Sequence, residues 1–106
     1  MSALEEMFAL QCEQAGLPTP VREYAAVPGR RYRWDFAWVD ARVLVEINGG
    51  TYARMGHSTG AGISRDYAKS NCAQLRGWRT LIFDRRMVES GEAVEFIGQA
   101  LGLIAD

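Results

Sequence analysis

Residues Arg31–Asn48 read Arg-Tyr-Arg-Trp-Asp-Phe-Ala-Trp-Val-Asp-Ala-Arg-Val-Leu-Val-Glu-Ile-Asn. Both halves alternate with period two, the pattern of half-buried strands. Tyr32, Trp34, Phe36 and Trp38 fall on one face of the first strand, and Val43, Val45 and Ile47 on one face of the second. Asp35, beside Ala37 and Val39, and Glu46, beside Leu44, fall on the other faces. A tight hairpin closed at Asp40-Ala41 pairs Val39 with Arg42, and the same register sets Asp35 across from Glu46, with Cβ atoms ~5 Å apart. A slip of one residue would send the two carboxylates to opposite faces. Carboxylates placed face to face repel. A hard divalent cation reverses the sign of that interaction, because ions such as Mg²⁺ select carboxylate oxygens. The stretch predicts a metal site built across a hairpin.

The rest of the chain bounds what such a site can serve. At 106 residues the sequence suits one domain, 1–106, with a modest single core. Its 48% hydrophobic and 24% charged content is that of an ordinary globular protein. No apolar run approaches the ~20 residues that span a bilayer. The N-terminus lacks the basic start and apolar core of a signal peptide, so a cytoplasmic location is expected. The net charge of −1 is unevenly spread: residues 30–86 hold eleven of the 12 Lys and Arg against five acids, while both flanks are acidic. A basic middle that also carries the paired carboxylates points to a polyanionic substrate. Cys12 and Cys72 share no metal-ligand spacing and read as reduced core residues, and nothing joins them to the lone His57 as a zinc site.

Taken in order, Ser2 and Glu5 fit a capping box for a first helix that carries Leu4, Met7, Phe8, Cys12 and Ala15 on one face and stops at Gly16. Glu5 borders that face, and Glu6 points away from it. Val21–Val27 reads as a first strand, ended by Pro28-Gly29. After the hairpin, Gly49-Gly50 opens a glycine-rich loop to about Gly62, in which Arg54 and His57 are candidates to line a phosphate path. Ser64 is the expected cap of a second helix running to Arg76, with Ala68, Cys72 and Leu75 as its buried seam. Arg65, Lys69 and Arg76 then form a basic stripe beside that seam. Trp78–Asp84 reads as a buried strand. The last helix starts near Ser90 with Val94, Ile97, Leu101 and Ile104 at three-four spacing.

The order is helix, three strands, helix, strand, helix, with one acid on the first helix and two across the hairpin. In Trp34-Asp35-Phe36 and Val45-Glu46-Ile47-Asn48-Gly49-Gly50 the sequence resembles the PD-(D/E)XK nuclease superfamily, whose motif is an Asp followed on the next strand by Glu-x-Lys. From Arg33 to Val88 it is similar to small phage and prophage endonuclease-like proteins, of Holliday-junction-resolvase or very-short-patch-repair type. These carry the pattern RFDFAW, EI(D/E)GG, GRH, D-x-x-K-x-N, GW. The motif lysine is Asn48 here, and Lys69 within Asp66-Tyr67-Ala68-Lys69-Ser70-Asn71 matches members that carry the lysine on the following helix.

The resemblance implies an α/β, restriction-endonuclease-like αβββαβ core, a mixed central sheet flanked by helices, with a C-terminal helix. It implies a DNA endonuclease dependent on Mg²⁺ or Mn²⁺. Asp35, Glu46 and the Ile47 carbonyl would hold the metal, Glu5 would join its shell, and Lys69 would stabilise developing charge. Arg30, Arg31, Arg33, Arg54, His57, Arg65 and Arg76 are the candidates for contacts to nucleic acid. The substrate expected is branched DNA such as a Holliday junction, cut by a homodimer in a bacterial or phage-infected cell. The alternatives are a nicking or mismatch-repair type endonuclease, or an inactive nucleic-acid-binding module of the same fold.

Overall fold

The computed structural model describes residues 2–49 and 60–105 of the chain. Arg54, His57 and most of the expected glycine-rich loop lie outside these residues. β1 (Val21–Tyr24), β2 (Trp34–Trp38), β3 (Val43–Asn48) and β4 (Arg79–Asp84) form one sheet in that order. The first three strands are antiparallel neighbours, and β4 runs parallel to β3. The helices are α1 (Ala3–Gln14), α2 (Gly60–Leu75), α3 (Arg85–Glu89) and α4 (Glu92–Ala100). The expected αβββαβ order and C-terminal helix are present. Among the described residues no helix is long and apolar enough to cross a membrane.

Two clusters of buried side chains make the chain a three-layer sandwich. On one face Leu4, Phe8 and Cys12 of α1 meet Phe36, Trp38, Val43, Val45 and Phe83 of the sheet, with Val88, Ala93 and Ile97 behind. The Phe8 ring stands edge-on to Phe36 with centroids 5.0 Å apart. Burying each such side chain stabilises the fold by about 1.5–3 kcal/mol. On the other face Val27, Trp34, Ala37, Leu44 and Trp78 pack with Ala73 of α2.

The hairpin has the expected register: Phe36 pairs with Val45, Ala37 with Leu44 and Trp38 with Val43. Its turn differs in kind. Arg42 N–H donates to the Val39 carbonyl at 3.1 Å, and the positive backbone angle falls on Arg42 (φ 59°). This suits a type I turn followed by a left-handed residue rather than a two-residue mirror-image turn. The Arg42 guanidinium lies 4.2 Å from the centre of the Trp78 ring and also donates to the Arg76 carbonyl, which holds the residue there.

One departure from alternation shapes the functional end. Trp34 packs on the α2 face with Ala37, not on the Phe36 face that period two assigns it. The reversal coincides on β1 with Glu23, which adopts φ 52° between the pairs Arg22↔Phe36 and Tyr24↔Trp34. A left-handed residue costs a non-glycine roughly 1–2 kcal/mol and swings the chain over. The Arg22 guanidinium therefore sits 4.5 Å from the Phe36 ring centre, while Tyr24 packs in the α2-side cluster. Asp35, across from Glu23, stands at the point of reversal.

Four further expectations are corrected. α2 begins at Gly60, so Ser64 lies within it and does not cap it. Its seam is also rotated: Ala73 is buried, Lys69, Ser70 and Cys72 are half-buried, Ala68 is exposed, and Leu75 is 86% exposed. The inward line is Lys69, Ser70 and Ala73, about 140° around the helix from the mean direction of Ala68, Cys72 and Leu75. Polar residues face inward because the sheet offers them partners: Ser70 Oγ meets Thr80 Oγ1 at 3.4 Å and Lys69 pairs with Glu46. β4 is an edge strand rather than a buried one, with Ile82 57% exposed. A short helix precedes the last one, capped by Asp84, whose carboxylate accepts Met87 N–H at 2.9 Å.

Candidate active site

The ladder between β2 and β3 ends at Phe36↔Val45, one step short of Asp35 and Glu46. Beyond it the Asp35 carboxylate takes the place of a backbone acceptor, receiving Ile47 N–H at 2.7 Å through Oδ2. The strand end thus opens around a side chain, and both carboxylates line a cavity of ≈ 290 Å³ with Glu5, Asn48, Asp66 and Lys69. Ser70 and Thr80 complete the polar wall, and Trp34, Ile47, Leu81 and Ile82 the apolar one.

Each side chain arrives there for a local reason. Glu46 and Asn48 share one face of β3 by period two. Glu5 is carried by α1, whose start is fixed by Ser2 Oγ accepting Glu5 N–H at 3.1 Å. The Ser2 hydroxyl also donates to Glu5 Oε2 at 3.3 Å. Capping and site are therefore not alternatives for Glu5. Gly49 permits the approach of α1, because a Cβ at that position would overlap the Leu4 side chain. Glu6 points elsewhere and pairs with Arg22 at 2.7 Å.

Lys69 comes from the inward line of α2. Its Nζ donates to Glu46 Oε1 and, at 2.6 Å, to the carbonyl of Arg33, and lies 4.7 Å from the centre of the Trp34 ring. The side chains of Lys69 and Glu46 are 18% and 35% exposed, so the pair is shielded more than a surface ion pair. An ammonium has three donors, and these two bonds leave one.

The Glu5 carboxyl is held above the ordinary 4.5, first by burial and then by the charge of Asp35. A carboxyl raised on folding keeps its proton to higher pH in the folded chain. Stability therefore falls as pH rises through the window just above 4.5. Glu5→Gln should raise the melting temperature at pH 7 in chelator, and the gain should vanish below pH 4.5. Equal melting temperatures for the two proteins at both pH values would contradict this placement of Glu5.

The arginines divide. Arg30, Arg31 and Arg33 precede β2 at the same end of the sheet as the cavity and are exposed. Arg65 is exposed beside Asp66. Arg76 lies about 10 Å further along α2 than Lys69. Its Nη1 donates to the Cys72 carbonyl at 3.3 Å, at the end of the sheet marked by Arg42. The expected stripe of Arg65, Lys69 and Arg76 is thus split between the site, its rim and the far end.

Four acidic residues, Asn48 and a lysine around one cavity bring hard oxygen donors together with a cation beside them. No protein-family model matches the sequence, and no curated protein matches it. Among solved structures the chain is similar to the catalytic domain of homing endonuclease I-Bth0305I, with a TM-score of 0.72 over 99% of this chain and 100% of that one. The two share a fold. At 13% identity the likeness is one of backbone, and the roles of side chains rest on the geometry above.

The cavity also contains residues that the sequence did not offer as site residues, although Asp66 and Ser70 belong to the stretch matching D-x-x-K-x-N. Asp66, Ser70 and Thr80 were hidden by the apolar reading of α2 and by the reading of β4 as buried. Asn48 was legible as a missing lysine, though not as a group with a place of its own.

Proposed function

We propose that the chain is a metal-dependent DNA endonuclease of the PD-(D/E)XK type. The observation that carries the reading is the convergence of Asp35, Glu46 and Lys69, from two strands and a helix, on one cavity. The donor set fits a divalent cation: Asp35 and Glu46 supply carboxylates, and Asn48, which also lines the cavity, carries a buried amide oxygen, Oδ1, without a partner among the described residues. Asp35 and Glu46 would hold Mg²⁺ or Mn²⁺, with the Ile47 carbonyl beside them. When bound, the cation supplies Lewis-acid polarisation of a phosphate oxygen and lowers the pKa of water.

The chain's own residues do the rest. Asp35 is oriented by Ile47 N–H, and Glu46 by Lys69. The remaining donor of Lys69 offers positive charge to the non-bridging oxygens of a phosphodiester as negative charge develops on them. This is the role vacated by Asn48. Among the described residues no three His, Cys, Asp or Glu side chains group to hold an ion. Glu5 accordingly acts from the edge of the site, through water. Arg30, Arg31, Arg33 and Arg65 contact the phosphate backbone, which gives affinity without sequence preference.

In this reading the substrate is branched DNA, cut by a symmetric pair of chains in the cytoplasm of a bacterial or phage-infected cell. Cleavage of a panel of linear, single-stranded, flap and four-way DNA tests it. Preference for the four-way substrate supports resolution, and equal cutting of linear duplex argues for a nicking or repair type enzyme. DNA affinity should fall linearly on a plot of log K against log[salt]. Arg31→Ala and Arg65→Ala should each flatten that slope by roughly one unit, and Arg76→Ala should not. An unchanged slope in the first two would remove them from the interface.

A further inference from the structure

We infer that Asn48 is itself a ligand of the cation, supplying a neutral oxygen through Oδ1. The inference rests on the metal reading above and deepens it. Among the described residues two buried side-chain polar atoms lack a hydrogen-bond partner, Gln11 Oε1 and Asn48 Oδ1. Gln11 is anchored through its other end, where Nε2 donates to the Val88 carbonyl at 2.9 Å, and it does not line the cavity. Asn48 does line it. A buried acceptor left unpaired destabilises the fold, and a bound cation would remove that cost.

The other candidate oxygens are partly committed. Asp35 gives Oδ2 to Ile47 N–H, and Glu46 gives Oε1 to Lys69. No third acid joins them closely enough to hold an ion among the described residues. A divalent ion of the Mg²⁺ or Mn²⁺ kind still takes about six oxygens. Asn48 stands two residues beyond Glu46 on the same face of β3, about 7 Å along the strand. Two side chains so spaced can close on one ion from either side.

Charge explains why an amide suits the place. Asp35 and Glu46 together balance a divalent ion. An amide adds an oxygen and no further negative charge to a cavity that Glu5, Asp35, Glu46 and Asp66 already line. A lysine at position 48 would add no oxygen at all. With Lys69 supplying the positive charge from α2, position 48 is released to serve the metal.

Mn²⁺ titration by calorimetry, with melting curves in chelator and in Mn²⁺, tests this on the full chain and on Asn48→Leu, Asn48→Asp and Asp35→Asn. Asn48→Leu should melt higher than the parent in chelator, because the unpaired acceptor is gone. It should bind Mn²⁺ ~10-fold or more weakly. Asn48→Asp restores an oxygen and should bind Mn²⁺ at least as tightly as the parent, which decides the matter if Asn48→Leu does not fold. Parental Mn²⁺ affinity in Asn48→Leu, or weaker than parental affinity in Asn48→Asp, overturns the inference. If Asp35→Asn nevertheless loses Mn²⁺, the two-carboxylate site stands without Asn48. A parent that binds no Mn²⁺ overturns both.

Discussion

The Asp35→Asn variant is expected to lose metal-dependent DNA cleavage by ~10³-fold or more, the scale of several kcal/mol of Lewis-acid stabilisation. It should fold normally, because an asparagine oxygen can still accept Ile47 N–H as Asp35 Oδ2 does. In chelator it should melt higher than the parent, since Asp35 is one of the charges that push the Glu5 carboxyl up. Glu46→Gln should lose cleavage equally but gain no stability, because it leaves Lys69 half-buried without its carboxylate. Plasmid cleavage rates and melting curves for the two variants check both halves. Parental cleavage by either variant removes that carboxylate from the site.

Lys69→Ala comes next in size. Its rate should fall by ~10²-fold, the effect of losing one preorganised stabiliser of developing charge. DNA affinity should change little, because Lys69 is held inward by Glu46 and the Arg33 carbonyl and is not among the exposed arginines of the rim. Mn²⁺ should bind no more weakly than in the parent, since the lysine shares the Glu46 carboxylate with any cation. That separates Lys69 from the metal ligands, whose loss lowers both rate and Mn²⁺ affinity. Cleavage at the parental rate would mean that the positive charge comes from elsewhere, with Arg54 and His57 the next candidates.

How far the sequence was legible follows from what fixes each element. The hairpin register was readable because period-two patterning and a short turn both constrain it, and one slip would have set Phe36 on the face opposite Val43 and Val45, splitting the α1-side cluster. The order of elements was readable for the same reason. α2 was misread because apolar spacing finds a buried seam only where burial is apolar. Its inward residues Lys69 and Ser70 are matched to Glu46 and Thr80, partners that come from other elements. The face reversal at Trp34 coincides with the left-handed backbone of Glu23, and no residue type at that position announces φ 52°. Arg76 is a DNA candidate by charge alone, and its place at the C-terminal end of α2, where it donates to the Cys72 carbonyl, is set by the fold. Asn48 is visible in the sequence only as a departure from a motif, and its unpaired buried oxygen shows only in the folded chain.

The most direct test of the central claim is conversion of supercoiled plasmid to nicked and linear forms by the purified chain, in Mg²⁺ or Mn²⁺ and in chelator, with Glu46→Gln prepared alongside. Cleavage is expected in either metal, with none in chelator and none by Glu46→Gln. Plasmid that is bound and retarded but left intact in both metals, or cut equally by Glu46→Gln, would contradict it.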